Sequence, residues 1–346
     1  MGKKVTIQQI ADYLGVSKYV VSRALSGKSG VKDATRDKVL EAAKQLGYQP
    51  QVLANAKDSL HSTKAGQNNV LVVLPKSQYQ DSIYWGRIID GISNELEGHS
   101  LGIVMMTESD SFSTVINPKG FIGIICVGHI STNILLEFKK WEIPVVLIDD
   151  EEPLFSTDTI FANNFDSSFQ LTNYLIGLGH RDMIFIGDIY FSRSFYDRWL
   201  GFRSALESHQ LVPKTNEVYL EKREKDYEEM IISAKKWLEI AFARNEMPTA
   251  IVCANDSIAL YMIDLLKAKK LNIPEDISIT GFDNIESSYL NSPTLTTIHV
   301  PKEQLGKKAV TVLIDQIHSR KEQFEKILLT CELIIRESTA KLKSLI

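Results

Sequence analysis

Cysteine is scarce. Cys126, Cys253 and Cys331 are the only three in 346 residues, and they are widely spaced. Each lies in an apolar, strand-like run, which reads as a reduced core thiol rather than part of a disulfide or metal framework. Long hydrophobic runs are missing as well. No stretch reaches the roughly 18 apolar residues that a membrane span needs. The opening MGKKVTIQQI has no apolar centre of the kind that marks a secretory signal. These absences predict a cytoplasmic protein with no membrane partner. Catalytic signatures are absent too: there is no G-x-S-x-G, no G-x-x-x-x-G-K-[ST], no H-E-x-x-H and no paired-cysteine spacing. The seven histidines form no metal-ligating constellation. No cofactor is expected, and the reading is of a non-enzymatic protein.

What remains is ordinary globular material, 44% hydrophobic and 24% charged. At roughly 100–200 residues per domain, the length predicts two or three folded units. The net charge of −4 hides an asymmetry. Residues 1–64 carry 11 Lys and Arg against 5 Asp and Glu, a net +6, which leaves −10 for the rest. A basic block on an acidic body suggests that one end meets a polyanion; a merely solvated basic surface is the alternative.

The basic end has a pattern. Thr6 followed by Gln9 fits a capping box, in which side chains satisfy the free N–H groups of a helix start. Ile7, Ile10, Ala11 and Leu14 then recur at helical spacing. Gly15 permits a sharp turn, and Ser17 is a natural N-cap for a second helix that buries Val21, Ala24 and Leu25. A third helix is predicted from about Asp33 to Leu46, with Val39, Ala42, Ala43 and Leu46 on one face. Two helices on a tight turn, braced by a third, make a helix-turn-helix unit. A plain three-helix bundle is the alternative on these features alone. In the helix-turn-helix geometry the second helix enters the major groove with its N-terminal end. The candidate DNA contacts are then Thr6, Ser17, Lys18, Tyr19, Ser22, Arg23 and Lys28. Arg can bond a guanine edge with two parallel hydrogen bonds, while lysines mostly set register on phosphates.

From Asn69 onward the chain alternates continuous apolar runs with amphipathic stretches. VLVVL (70–74), LGIVMM (101–106), FIGIICVG (121–128), PVVLID (144–149), MIFIG (183–187), AIVCAN (250–255) and ISITGF (277–282) read as strands, with a further short strand near 218–220. This predicts parallel sheets covered on both faces, in two similar doubly wound halves. LTTIHV (295–300) and ILLTCELIIRES (327–338) are spare segments available to cross back and complete both sheets. Ligands of open α/β sheets sit at the carboxyl ends of the strands. That places Tyr84, Trp85, Asp149, Ser194, Arg198, Asn255 and Asp283 in view, although each taken singly has a structural reading as core, cap or ion-pair partner. Aromatic faces with a few carboxylate, amide and guanidinium groups suit a small polyhydroxylated molecule.

Both parts of the chain resemble the lactose-repressor (LacI/GalR) family. In the N-terminal part the likeness is carried by IADYLGVS, VSRALSG, Thr35-Arg36 and the closing Gly-Tyr-x-Pro. In the body it is carried by FIGIICVG, IPVVLIDD, LGHRDMIFIG, RWLGFRSAL, PTAIVCANDSIAL, IPEDISITGFDN and SPTLTTIHVP. The resemblance implies a helix-turn-helix headpiece (1–49), a hinge (50–68) and an effector-binding and dimerisation core (69–346) of the periplasmic-binding-protein type. It divides the core into one subdomain of about 69–164 and 298–325 and another of about 165–296 and 326–340. Lys18, Tyr19 and Arg23 match the family's base-reading positions. Arg198, Asn255 and Asp283 match effector-contacting positions, and Tyr84, Trp85, Asp149 and Ser194 match more loosely. His180, in LGHRD, matches a structural turn. At the hinge, Ala54 and Asn55 match small and polar positions that order on DNA. Lys57 replaces the leucine that wedges the minor groove, which leaves a plain linker beside the wedge as alternatives.

The resemblance further implies a homodimer on a near-palindromic double-stranded operator. A small effector, read as a sugar or amino sugar with a nucleobase as the alternative, switches its affinity. A stand-alone sugar-binding protein is the competing reading, opposed by the attached helix-turn-helix. Arg23→Ala is expected to weaken specific DNA binding by about 1–3 kcal/mol while leaving ligand binding intact. Fluorescence anisotropy at fixed salt checks this, because binding through phosphates falls steeply as salt rises.

Overall fold

The protein, in a computed structural model, divides into two units, Met1–Gly66 and Gln67–Ile346. Residues 7–14, 16, 21, 35, 38, 39, 42 and 43 are described in the first, and 68–76, 78, 83–108, 116–212, 227–319 and 323–342 in the second. In the first unit, helix α1 (Ile7–Leu14) carries the apolar period read from the sequence. Ile10 and Ala11 are fully buried with Val21, Val39, Ala42 and Ala43 in one cluster, which Leu14 and Val16 flank. Residues from all three expected helices thus share one small core, as the 3.6-residue spacing requires.

The second unit begins with β1 (Asn69–Leu74), α2 (Trp85–Gly98), β2 (Gly102–Thr107), β3 (Phe121–Val127), α3 (Thr132–Lys140), β4 (Val145–Ile148) and β5 (Asp158–Ala162). It continues with α4 (Asn164–Gly177), β6 (Met183–Ile186), α5 (Arg193–Ser208), α6 (Tyr227–Arg244), β7 (Ala250–Cys253), α7 (Asp256–Ala268) and β8 (Ser278–Thr280). The chain closes with α8 (Glu286–Leu290), β9 (Thr297–His299), α9 (Lys302–His318), β10 (Lys326–Leu329) and β11 (Glu332–Ile334). Strands in the order β10-β5-β4-β3-β1-β2 form one parallel sheet, and β6-β7-β8 form a second. Strand β1 shows why its run is continuously apolar. Val70, Val72 and Leu74 face the cluster of Ile88, Ile92 and Leu96 from α2, while Leu71 and Val73 face Leu135 and Phe138 from α3. Both faces are buried, so no polar alternation survives.

The two halves are unequal among the described residues, six strands against three, where two similar halves were expected. The strand expected near 218–220 lies outside the described residues. A second difference concerns the C-terminal segment, which was assigned to the second half from residue 326. Lys326–Leu329 pairs in parallel with Thr159–Ala162 at the edge of the first sheet, and only Glu332–Ile334 returns, antiparallel to Thr297–His299. The reason lies in α9, which packs on α2 and on strands of the first sheet. A short parallel crossover from that helix returns to the sheet it covers.

Helices α2 and α9 meet through glycine. A Cβ at Gly91 would lie 2.1 Å from the Glu303 carbonyl oxygen, and one at Gly306 would lie 2.2 Å from that of Ile88. Backbone faces backbone, so no flexible side chain can yield. Gly306→Ala is expected to destabilise by about 1–3 kcal/mol through overpacking. Urea denaturation should show a lower midpoint with an unchanged slope.

Candidate binding site between the lobes

The carboxyl ends of the strands converge on one cavity of about 920 Å³. All seven residues proposed from the sequence line it: Tyr84, Trp85, Asp149, Ser194, Arg198, Asn255 and Asp283. Each arrives by a local device. Asp149 follows β4 with a positive φ of 58°, which turns the chain at the sheet edge. Ser194 and Arg198 lie on the first turns of α5, whose N-cap Ser192 accepts a hydrogen bond from Phe195 N at 3.2 Å. Asn255 caps α7, its Oδ1 accepting from Ile258 N at 2.9 Å. Asp283 follows β8 at a φ of 111°. Tyr84 stands at the N-cap of α2, and its ring meets Trp85 edge-on with centroids 4.9 Å apart.

Arg198 is the centre of the arrangement and is 3% exposed. Its Nη1 donates to the Ala254 carbonyl at 2.7 Å, its Nε to Asn164 Oδ1 at 2.8 Å, and its Nη2 pairs with Asp283 Oδ1 at 3.1 Å. The guanidinium plane also lies 3.8 Å from the centroid of Phe282, a cation–π contact. Ser194 donates to Asp149 Oδ1 across the lobes. Burial pushes the Asp149 carboxyl up to about 6. The Ser194 hydrogen bond and Arg198 oppose that rise, while Asp283 and Asp150 add to it. Behind the cavity, Asp256 is fully buried. Its carboxylate accepts from Thr297 Oγ1 at 2.5 Å and Ile285 N at 2.9 Å, which fixes the loop carrying Asp283. Burial, with Asp283 nearby, raises Asp256 to about 7.

The lining carries more acid than base. Glu108, Asp150 and Glu151 join Asp149 and Asp283, against Arg193 and Arg198. Both arginines are already paired, Arg193 with Glu151 and Asp197 and Arg198 with Asp283. His180 lies elsewhere, its ring nitrogens 3.0 Å from Thr249 Oγ1 and 3.1 Å from the Ala340 carbonyl, which suits a structural turn. Asn164 and Lys302 were not found from the sequence. Asn164 follows a strand end, but the strand Asp158–Ala162 was not recognised there. The DNA-contact positions Thr6, Ser17, Lys18, Tyr19, Ser22, Arg23 and Lys28, and the hinge positions Ala54, Asn55 and Lys57, lie outside the described residues.

Fold and cavity define a class: a two-lobed α/β binding domain joined to a small helical unit. Comparison with known proteins agrees. A periplasmic-binding-protein-like domain model matches residues 172–339, and the model for bacterial regulatory proteins of the lacI family matches residues 6–51. The probable transcriptional repressor ExuR of Bacillus subtilis is 30% identical over 98% of this chain and 99% of its own length. The transcriptional repressor PurR of Vibrio parahaemolyticus is 28% identical over 97% and 99%. Among solved structures, the complex of the transcriptional regulator CelR with cellobiose superposes with a TM-score of 0.69 at 22% identity, over 97% of this chain and 100% of that one. The chain belongs to the lacI family of bacterial regulatory proteins. It is a DNA-binding transcriptional regulator with an effector-binding domain, in a family of regulators rather than enzymes.

The raised Asp149 carboxyl has a consequence for stability. Its ordinary value is 3.8 and its folded value about 6, so the native state holds its proton to higher pH than the unfolded chain does. Stability from this group is therefore greatest below about pH 4 and falls as pH rises toward 6. Asp149→Asn is expected to be more stable than the parent at pH 7, by up to about 3 kcal/mol, and to lose that advantage near pH 4. Chemical denaturation of both proteins across this range measures it.

Proposed function

We propose that this protein is a cytoplasmic, non-enzymatic repressor that binds a near-palindromic operator as a homodimer and is switched by a small polyhydroxylated effector, a sugar or amino sugar, in the cavity between the lobes. The observation that carries the effector site is the meeting of six further residues, Tyr84, Trp85, Asp149, Ser194, Asn255 and Asp283, in one cavity with the buried guanidinium of Arg198. Arg198 and Asp283 grip the effector from the second lobe, and Asp149 with Tyr84 and Trp85 meets it from the first. Aromatic faces beside carboxylates suit the apolar faces and hydroxyl edges of a sugar ring. The related repressors and the cellobiose complex of CelR support the same reading. Lys18, Tyr19 and Arg23 would read base edges, with Thr6, Ser17, Ser22 and Lys28 beside them. Ala54, Asn55 and Lys57 form the hinge contribution. Among the described residues, no helix is long and apolar enough to cross a membrane.

The effector alters DNA affinity only to the extent that it binds two conformations unequally, and the coupling is reciprocal. A melting-temperature panel of sugars, amino sugars, sugar phosphates and purines, run beside Arg198→Ala, tests the site. A ligand specific for the folded state adds about 2.7 kcal/mol at a hundredfold excess over its Kd. The expected result is a shift with a sugar or amino sugar that disappears in Arg198→Ala, with ligand-free DNA binding retained. Because Arg198 also holds Asp283, its loss lowers the baseline melting temperature, so the shift is the quantity compared. A shift that survives in the variant places the ligand elsewhere and overturns the proposal.

A further inference from the structure

One buried polar side chain at the cleft has no part in the proposal above. Asn164, the first residue of α4, is 2% exposed. Its Oδ1 accepts from Arg198 Nε at 2.8 Å. Its Nδ2 donates to the Ala162 carbonyl at 3.0 Å and to Ser194 Oγ at 3.0 Å. The amide has only one possible orientation, because a guanidinium only donates and a carbonyl only accepts. Ser194 owns a single hydroxyl hydrogen. Its oxygen already accepts from Asn164, so that hydrogen goes to the carboxylate across the cleft, Asp149 Oδ1. Donation therefore runs one way, from Arg198 to Asn164, from Asn164 to Ser194, and from Ser194 to Asp149.

We propose that Asn164 is a positioning and specificity-determining residue of the effector site, whose amide fixes the direction of this hydrogen-bond chain and makes the polar floor of the cleft an acceptor surface. The proposal rests on reading the cavity as the effector site. Three of the five Arg198 N–H groups point at Asn164, the Ala254 carbonyl and the ion-paired Asp283, and the Ser194 hydrogen is committed to Asp149. What faces the effector is then mostly carboxylate oxygen, from Asp149 and Asp283 with Asp150 and Glu151 alongside, against the two further N–H groups of Arg198. Such a surface is complemented by donors, the hydroxyl and ammonium groups of a neutral or amino-bearing polyol. Carboxylated and phosphorylated sugars bring acceptors and like charge to the same place and are excluded.

The Asp149 titration reports the direction of the chain. The groups that face this carboxyl are Ser194 and Arg198 from α5, Asp283 from the loop after β8, the adjacent Asp150, and Tyr84 at the head of α2. In Asn164→Asp the new carboxylate accepts the Ser194 hydroxyl and draws it away from Asp149. Carboxyl carbon NMR on the full-length protein should then show Asp149 titrating about one unit higher, because a donor to its charged form is lost. Ser194→Ala should raise it in the same direction. In the Ser194→Ala background, Asn164→Asp should shift it by less than about half as much, since only through-space charge remains. Equal shifts in the two backgrounds mean that Asn164 acts through charge or packing alone, and overturn the proposal.

If Asn164→Asp does not fold, the parent protein still decides. The Ser194 hydroxyl proton should exchange slowly and show a cross-relaxation peak to the Asn164 side-chain amide. A hydroxyl in fast exchange with water overturns the proposal. Neither readout uses a ligand, so a failed effector panel and a failed hydrogen-bond chain are distinguishable.

Discussion

A guanidinium almost wholly removed from water constrains everything around it. Burying a charge is costly unless it is paired and its hydrogen bonds are satisfied. Arg198 meets that demand with groups from three separate places: Asp283 and the ring of Phe282 after β8, Asn164 after β5, and the Ala254 carbonyl after β7. Three strand ends must stay in register for one side chain to be satisfied. The close approach of α4 and α5 serves the same end, since Gly201 lets the Phe165 carbonyl come within 2.2 Å of where a Cβ would stand. The Ser168 hydroxyl bonds the Arg198 carbonyl there as well. The binding cavity and the second lobe's packing therefore depend on the same few contacts, and a change at one is felt at the other.

That constraint shapes the acids. Asp149, Asp256 and Asp283 approach one another in a region with Arg198 and Lys302 as the buried cations. Lys302 places its Nζ on the carbonyl oxygens of Asp283 and Val300, and burial lowers its own pKa. Desolvation outweighs these cations at Asp149 and Asp256, which is why both carboxyls rise toward neutrality instead of falling as ion-paired acids do. A site poised in this way favours a ligand that brings hydrogen-bond donors, because each donor stabilises the ionised form that burial disfavours.

Much of this was legible in the sequence, for a simple physical reason. Strands buried on both faces are continuously apolar, so VLVVL, FIGIICV and AIVC announce themselves, and the residues just past them fall at the sheet's carboxyl edge. That rule found Asp149, Ser194, Arg198, Asn255 and Asp283. It missed Asn164 because β5 opens with a fully buried aspartate, which breaks the apolar pattern. Asp158 is tolerated there because its carboxylate accepts from Gln316 Nε2 at 2.6 Å and from Glu325 N at 2.6 Å. Those same bonds anchor the start of β10 beside β5. These long-range bonds, invisible to any local pattern, account for the unrecognised strand and, with the packing of α9, for the pairing of Lys326–Leu329 in the first sheet.

The chain passes between the lobes near residues 163, 300 and 330, so relative motion is confined to three short crossings. Within the first lobe, α2 and α9 touch backbone to backbone at Gly91 and Gly306, a contact with no soft side chain to deform. Small displacements are then carried as rigid-body shifts rather than absorbed, as close-packed interfaces require. Across the cleft the lobes meet through Ser194 with Asp149 and through Arg193 with Glu151, which Lys326 also contacts. On the proposed reading of this cavity, an effector entering it competes with those contacts before it adds its own. Its leverage on the rest of the protein is therefore the difference between the two sets, and an acceptor-rich floor makes that difference largest for a ligand that supplies the hydrogens.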